Sequence, residues 1–449
     1  MAKRPTVVVI GAGFSGLLTA LHLIADPDGP TVRLVERGGS FARGAAYSTG
    51  NPDHLLNVRV ANMSAYPGDP EHFTRWLAGH EGWSSHGGFV TRGVYGDYLQ
   101  DLLRQALEDT AAGRLLLEQD EAVDVQRAGE GWKVRLAIGR EIEASAVVLA
   151  LGVLRPAPPP AAGEDLLNSS RYIADPWDPK AALDDSVQDV LLTGAGLTMI
   201  DAAVTLWRPG RRFWAISRRG LTPRAHAPVE ASLPEVETTG SPRAILASVR
   251  RASEDGRWRE AIDALRPHVR TIWQGWSQVE RRSFLRHLRP WWDVHRHRLA
   301  PSVARRVGLM LRSRELVVRA GEIEALAPNR ENIEVIWRPR GGKLTRRITV
   351  DAVVNCAGLL GDLDQSGETL LRRLLARGAI RPDACRLGAD VDAGSRLIGQ
   401  GGGVQTGLYA VGPLTRGAFW EITSVPDIRT QAADAAQSIL AGLQSAKAA

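Results

Sequence analysis

The stretch Thr6-Val7-Val8-Val9-Ile10-Gly11-Ala12-Gly13-Phe14-Ser15-Gly16, continued to Glu36, decides the fold. Thr6–Ile10 is an unbroken apolar, β-branched run, the pattern of a parallel strand covered on both faces. Three glycines follow, and Leu17–Ile24 then reads as a helix. A second strand, Thr31–Val35, ends at Glu36, twenty residues after Gly16. Gly11 permits the strand-to-helix turn, Gly13 lets a pyrophosphate approach the backbone, and Gly16 lets helix and strand pack closely. The phosphates would meet unpaired N–H groups at the positive end of the helix. The Glu36 carboxylate suits ribose hydroxyls and repels a 2′-phosphate. Phe14, Ser15 and Arg37 complete the contacts expected of this dinucleotide-binding unit.

The same punctuation recurs along the chain. Ala146–Leu151 runs into Gly152, Val190–Thr193 into Gly194, and Ala352–Ala357 into Gly358. With helical patterns such as Tyr98–Leu107 between them, these runs predict an α/β protein. The turn Gly194-Ala195-Gly196-Leu197-Thr198-Met199 repeats the first, except that Met199 replaces the third glycine and pushes helix and strand apart or requires local adjustment. Strand Arg212–Ile216 leads into Ser217-Arg218-Arg219, where a site for NAD carries an acid. Ser and Arg there suit a 2′-phosphate. Gly194, Gly196, Thr198, Ser217, Arg218 and Arg219 are therefore expected to hold NADPH; NADH, or a second unit that binds no nucleotide, are the alternatives. A second glycine turn in mid-chain favours FAD at the first.

The expected architecture is a two-dinucleotide-binding flavoprotein with two Rossmann-like domains and a helical insertion. Residues 1–155 form the first part of the FAD-binding domain, and 346–449 its C-terminal part. Residues 185–345 form an NAD(P)-binding-like domain, with the insertion at about 241–315. Pro156, Pro158, Pro159 and Pro160 stiffen the first boundary. The insertion is Arg-rich and carries Trp258, Trp273, Trp276, Trp291 and Trp292. Strand character returns at Leu316–Arg319, Ile333–Arg338 and Arg347–Val354, with a last strand at Leu408–Val411 and a final helix at Asp427–Leu443.

Of 449 residues, 44% are hydrophobic and 24% charged, an ordinary globular balance. Two cysteines, Cys356 and Cys385, provide no disulfide framework, no zinc site and no redox pair of disulfide-reductase spacing. The most apolar stretch, Ala144–Leu154, is about half the ~20 residues of a membrane-spanning helix, and no signal-peptide pattern precedes the first strand. A cytoplasmic protein is expected, without integral membrane association. The net charge of +6 suits an anionic nucleotide. His295 and His297 stand at i, i+2 on a helix and diverge, so no metal site is expected.

Beyond the glycine turns, several segments carry a family resemblance: Arg43–Thr49, His54–Val58 with Met63, Glu71–Leu77, Val94–Tyr98, Gly194–Asp201, Ser217–Gly220 with Pro223–His226, Arg289–Pro301, and Gly412–Arg429. Together they resemble a bacterial NAD(P)/FAD-binding family that includes FAD-dependent urate hydroxylases; more distant relatives hydroxylate amines. The resemblance implies that the first glycine turn and Glu36 bind FAD and that later segments line the flavin. Gly44, Ala45, Tyr47, Asn57, Val58, Met63, Val123, Gly152, Gly358, Gly412 and Trp420 are the positions expected to do so. Pro413 stands where many relatives have an aspartate, so the ribityl contacts must differ. His226 and Arg416 are candidates for substrate or nicotinamide contacts, and no catalytic residue is assigned.

The chemistry expected is an FAD-dependent oxidoreductase using NAD(P)H, foremost a monooxygenase. It would form a C4a-hydroperoxyflavin with O₂ and hydroxylate a small molecule: urate, another purine or an amine. An NAD(P)H-dependent flavin reductase or dehydrogenase without hydroxylation is the alternative within enzymes. A non-catalytic scaffold binding nucleotide, RNA or a membrane surface is the alternative outside them. The basic, Trp-bearing segment Arg281–Arg298, in which nine of eighteen residues are Arg or His, supports only that last reading, and nucleic acid is not an expected partner.

Overall fold

In the computed structural model, which describes residues 4–80, 88–109, 113–178, 181–228, 232–358 and 360–448, the β-branched runs pair into parallel strands. In chain order the strands are β1 Thr6–Ile10, β2 Thr31–Val35, β3 Leu115–Glu118, β4 Ala122–Ala128, β5 Gly131–Leu136, β6 Glu141–Ala144, β7 Ala146–Leu149 and β8 Tyr172–Ile173. They continue with β9 Asp189–Thr193, β10 Arg212–Ser217, β11 Leu316–Pro328, β12 Ile333–Pro339, β13 Arg346–Val350, β14 Ala352–Val354, β15 Arg396–Ile398 and β16 Val404–Ala410.

A six-stranded sheet has the order β15-β16-β7-β1-β2-β3, and a seven-stranded sheet the order β13-β12-β11-β10-β9-β14-β8. Within the first, β16, β7, β1, β2 and β3 run parallel, and β15 is antiparallel at the edge. Within the second, β11, β10, β9, β14 and β8 run parallel, while β12 and β13 return antiparallel. The long strand β11 joins both parts, its start pairing with β10 and its end with β12.

The central parallel strands β1, β7, β9 and β14 are buried almost throughout because helices cover their faces. Helix Phe14–Ala25 buries nearly its whole length against the first sheet, in one core with Val7–Ile10, Val147–Leu149 and the late helix Val425–Ala448. Helix Leu197–Leu206 packs on the second sheet with Val190, Leu192, Phe213 and Val354. Five helices between Pro242 and Arg296 form an outlying layer with aromatic cores of its own, followed by helix Pro301–Arg312.

Three features depart from the sequence reading. The antiparallel sheet β4-β5-β6 was not anticipated. The second sheet takes in β8, inside the stretch expected to separate the domains. It also takes in β13 and β14, which were expected at the start of the C-terminal part. Strand β16 begins four residues before the expected Leu408, and the final helix starts at Val425.

Candidate functional site

The first glycine loop is held by four segments of the chain. Gly11 has φ +98°, a conformation that favours glycine. A Cβ there would lie 2.3 Å from the Ala150 carbonyl oxygen, and its N–H donates to Val35 O at 2.8 Å. Gly13 is extended and starts helix Phe14–Ala25 with no side-chain cap, so the first N–H groups of the helix remain for an anion. A Cβ on Gly16 would meet the Gly11 carbonyl oxygen at 1.9 Å. Gly44 opens the short helix Gly44–Tyr47 directly across from Gly13, where its own Cβ would come within 3.0 Å of the Gly13 Cα. Gly412, at φ +75°, abuts Ser15, with 2.3 Å left between a Cβ and the Ser15 hydroxyl. Its N–H donates to the Gln431 side chain at 2.7 Å. Segments far apart in sequence thus converge on one turn.

Glu36 closes the unit. One carboxylate oxygen accepts from Ala12 N–H and the other from Gly38 N–H, both at 3.0 Å. A carboxylate offers about four lone-pair positions, so acceptors remain for ribose hydroxyls. Arg37 turns to Glu368 in an ion pair at 2.8 Å.

The second loop follows the same plan. Gly194, at φ +123°, donates from its N–H to Ile216 O at 2.8 Å, and its Cβ would lie 2.5 Å from the Cys356 carbonyl oxygen. Strand β14 and Cys356 therefore stand to β9 as β7 and Ala150 stand to β1. Gly196 is extended and begins helix Leu197–Leu206, again without a side-chain cap. Met199, where the first loop has Gly16, is fully buried in the core of the second sheet. Thr198 is half-buried on the first turn. The Ser217 hydroxyl accepts from Gly220 N–H at 3.0 Å and shapes the turn after β10. Arg218 is exposed, and Arg219 donates to the Arg286 carbonyl at 3.3 Å.

The remaining expected contacts divide into two groups. Tyr47 packs against Tyr95 at 4.8 Å and Phe14 at 6.3 Å, beside the first loop; Ala45 is exposed on the same short helix. Gly152, Pro413 and Arg416 line one crevice of about 110 Å³ together with Arg289. A Cβ on Gly152, Gly196 or Gly358 would have no neighbour within 4 Å, so the backbone there admits close approach by a ligand. These open glycines, the uncapped helix starts and Glu36 fit an adenine dinucleotide at the first loop and a nucleotide at the second.

Other positions are engaged in structure. Met63 is buried in the first core, beside partly buried Val58. Val123 accepts through its carbonyl from Arg373 at 3.0 Å. Trp420 is 2% exposed, stacked on Trp273 at 5.0 Å, with the Arg416 guanidinium over its ring at 4.3 Å. Its indole is thus covered by protein and can reach a ligand only at its margin. His226 binds the Asn57 carbonyl through Nε2 at 3.0 Å. Burial holds its pKa down at about 4, so it bridges two segments as a neutral imidazole. Burial also lowers Arg416 to about 10, with Arg289 acting in the same direction.

Sequence reasoning missed a polar junction between helix Arg92–Asp109 and helix Leu197–Leu206. Arg92 pairs with Asp201 at 2.8 Å, and both are largely buried. His54 Nε2 lies 2.7 Å from the Thr205 hydroxyl, on the same helix as Asp201. Arg92 also covers Trp177 at 4.8 Å. His54 and Asp201 lay within the resemblance segments, but nothing in their spacing marked them as neighbours. Among the described residues no His, Cys, Asp or Glu cluster could hold a metal ion, and no helix is long and apolar enough to cross a membrane.

Comparison with known proteins supports this geometry. Residues 8–154 match a family model described as FAD-NAD(P)-binding. An uncharacterized protein of Mycobacterium tuberculosis is 29% identical over 138 residues, 29% of this chain; the match spans 24% of that relative's length. The ornithine hydroxylase of Pseudomonas aeruginosa superposes with a TM-score of 0.66 at 17% identity, over 98% of this chain and 99% of that one. The ornithine N-hydroxylase of Kutzneria sp. 744, solved with reduced FAD, NADP⁺ and L-ornithine, gives 0.65 at 16% identity, covering 99% and 100%. The fold of this chain is therefore that of α/β flavoproteins with Rossmann-like units.

Proposed function

We propose that the protein is an FAD-dependent monooxygenase that consumes NADPH and hydroxylates a small molecule. The observation that carries this reading is the duplication of one phosphate-binding plan. Two glycine loops, two uncapped helix starts and two third-strand crossovers, at Ala150 and Cys356, occur in one chain. The family model over residues 8–154 and the likeness to hydroxylases that act on ornithine support it.

The first loop would hold the FAD diphosphate on the N–H groups of Gly13 to Ser15, with Glu36 on the ribose. Gly44 and Gly412 keep side chains out of the diphosphate's way. The second loop would hold the NADPH diphosphate, and Arg218 and Arg219 would meet its 2′-phosphate. Bound FAD supplies the hydride-accepting and oxygen-activating chemistry. In the overall reaction two electrons come from NADPH; one atom of O₂ enters the substrate and the other leaves as water. The chain's own part is to orient both nucleotides, to keep Arg289 and Arg416 at the crevice, and to exclude water. The resemblance names urate, other purines and amines as the first substrates to test.

Purified protein should be yellow, and Gly13→Val should fold normally by circular dichroism yet lose the flavin absorbance. A branched side chain there would occupy the diphosphate's position and press on Gly44. A colourless wild type that cannot be reconstituted with FAD would overturn the assignment. Measuring NADPH use against peroxide release separates the reductase alternative. A hydroxylase diverts oxygen from peroxide into product when substrate is added, whereas a plain reductase releases peroxide in proportion throughout.

A further inference from the structure

The five helices between Pro242 and Arg296 enclose a cavity of about 480 Å³, within the size range of small-molecule pockets. Its wall is carbon. Ile245, Ile262, Leu265 and Ile272 line it beside Trp273, Trp276 and Trp292. The N–H of each of these three indoles is already bonded: to the Gly417 carbonyl at 2.9 Å, the Gly240 carbonyl at 2.9 Å, and Glu421 Oε1 at 2.8 Å. What they offer a ligand is ring surface. The ionisable side chains lining the cavity are Arg250, His287 and His295, with no carboxylate among them. Arg250, His287 and Trp291 are exposed and mark the mouth.

Trp420 stands between this cavity and the crevice beside Gly152. It lines the cavity with Trp273, and Arg416 and Arg289, which line the crevice, lie over its ring at 4.3 and 5.8 Å. Its Nε1 is buried with no acceptor within reach among the described residues.

We infer that this cavity is the substrate pocket of the reaction proposed above, and that it takes a flat, apolar weak acid of aryl-carboxylate size. The carbon wall fits an aromatic body. The basic mouth attracts an anion, and the lack of any lining carboxylate leaves an ammonium group without a counter-charge. A zwitterionic diamino acid such as ornithine is the poorer ligand on the same ground.

The inference rests on the flavoprotein reading, and the experiment keeps the two apart. FAD-loaded protein is titrated with 2-naphthoate, following tryptophan fluorescence and NADPH consumption, with L-lysine as the comparison. Naphthoate should quench the fluorescence and stimulate NADPH use, and L-lysine should do neither. Leu246→Trp fills the cavity from a half-buried position, and Trp291→Ala removes a ring at the mouth. Each should weaken naphthoate at least about tenfold, the scale of one aromatic contact, with flavin absorbance retained. Yellow protein that gives no quenching up to roughly 1 mM, equal response to L-lysine, or affinity unmoved by Leu246→Trp would each overturn the pocket assignment. Colourless protein that still binds naphthoate would instead sink the flavoprotein reading.

Discussion

Arg218 and Arg219 follow β10 as exposed and half-exposed cations, in the place where Glu36 follows β2. A charge-assisted hydrogen bond to a 2′-phosphate contributes about 1.5–3 kcal/mol. Arg218→Ala with Arg219→Ala should therefore raise KM for NADPH at least about tenfold while changing NADH little. Equal losses for the two nucleotides would displace the second site from this turn. His226 makes a different prediction. Its folded pKa of about 4 lies below the ordinary 6.5 because burial disfavours the cation. Between those values the unfolded chain binds a proton that the folded chain refuses, so stability falls as pH drops from 6.5 toward 4. In His226→Gln the urea midpoint should depend less steeply on pH across that window; an unchanged slope would contradict the neutral bridge to Asn57. At this scale the sequence was legible where chemistry is local, as at Gly11, Gly13 and Glu36. It was not legible where a partner is distant: nothing near Trp420 announces Trp273, nor does anything near His226 announce Asn57.

The helices of the two glycine loops differ by one residue in how near their sheets they can sit. At Gly16 an added methyl group would meet a backbone carbonyl at 1.9 Å, which cannot yield as a side-chain tip can. Gly16→Ala should therefore cost about 3 kcal/mol, at the upper end for overpacking, and lower flavin retention by displacing the helix start. At Met199 the side chain already fills the space. Met199→Ala should cost about 2–5 kcal/mol through a cavity, yet leave flavin content intact. Thermal melts followed by both ellipticity and flavin release would distinguish the two outcomes. Strands β1, β7, β9 and β14 could be read from unbroken apolar runs. The sheet β4-β5-β6 shows the half-buried alternation instead, with Trp132, Val134 and Leu136 inside and Lys133 and Arg135 more exposed. A two-residue period was present there, and a search for buried runs passes over it. The insertion was legible as helical, and its apolar residues recur at helical spacing from Ile262 through Leu265, Val269 and Ile272 to Trp276. That those faces turn inward on a cavity was not.

Across the whole molecule, helix Arg92–Asp109 beside the first sheet meets helix Leu197–Leu206 on the second at the Arg92–Asp201 pair. Burial pushes the Asp201 carboxyl up, opposed by Arg92 and His54. Arg92→Ala would leave that carboxylate without its main counter-charge, at a cost of about 3–5 kcal/mol near neutral pH. Because the carboxyl is relieved on protonation, the loss should shrink as pH falls; a loss that grows on acidification would show the pair does not carry the junction. No sequence pattern foretold this meeting, since its two residues stand 109 positions apart. The order of the first sheet has one more consequence. Its strand β16 arrives about 250 residues after its neighbour β7, whereas the second sheet is complete once Val354 has been made. On a ribosome adding roughly 5–20 residues per second, the unit begun first finishes last. The amino-terminal loop then waits with one flank open until Gly412 arrives to close it, so a nascent chain can grip its first nucleotide fully only after some four hundred residues have been made.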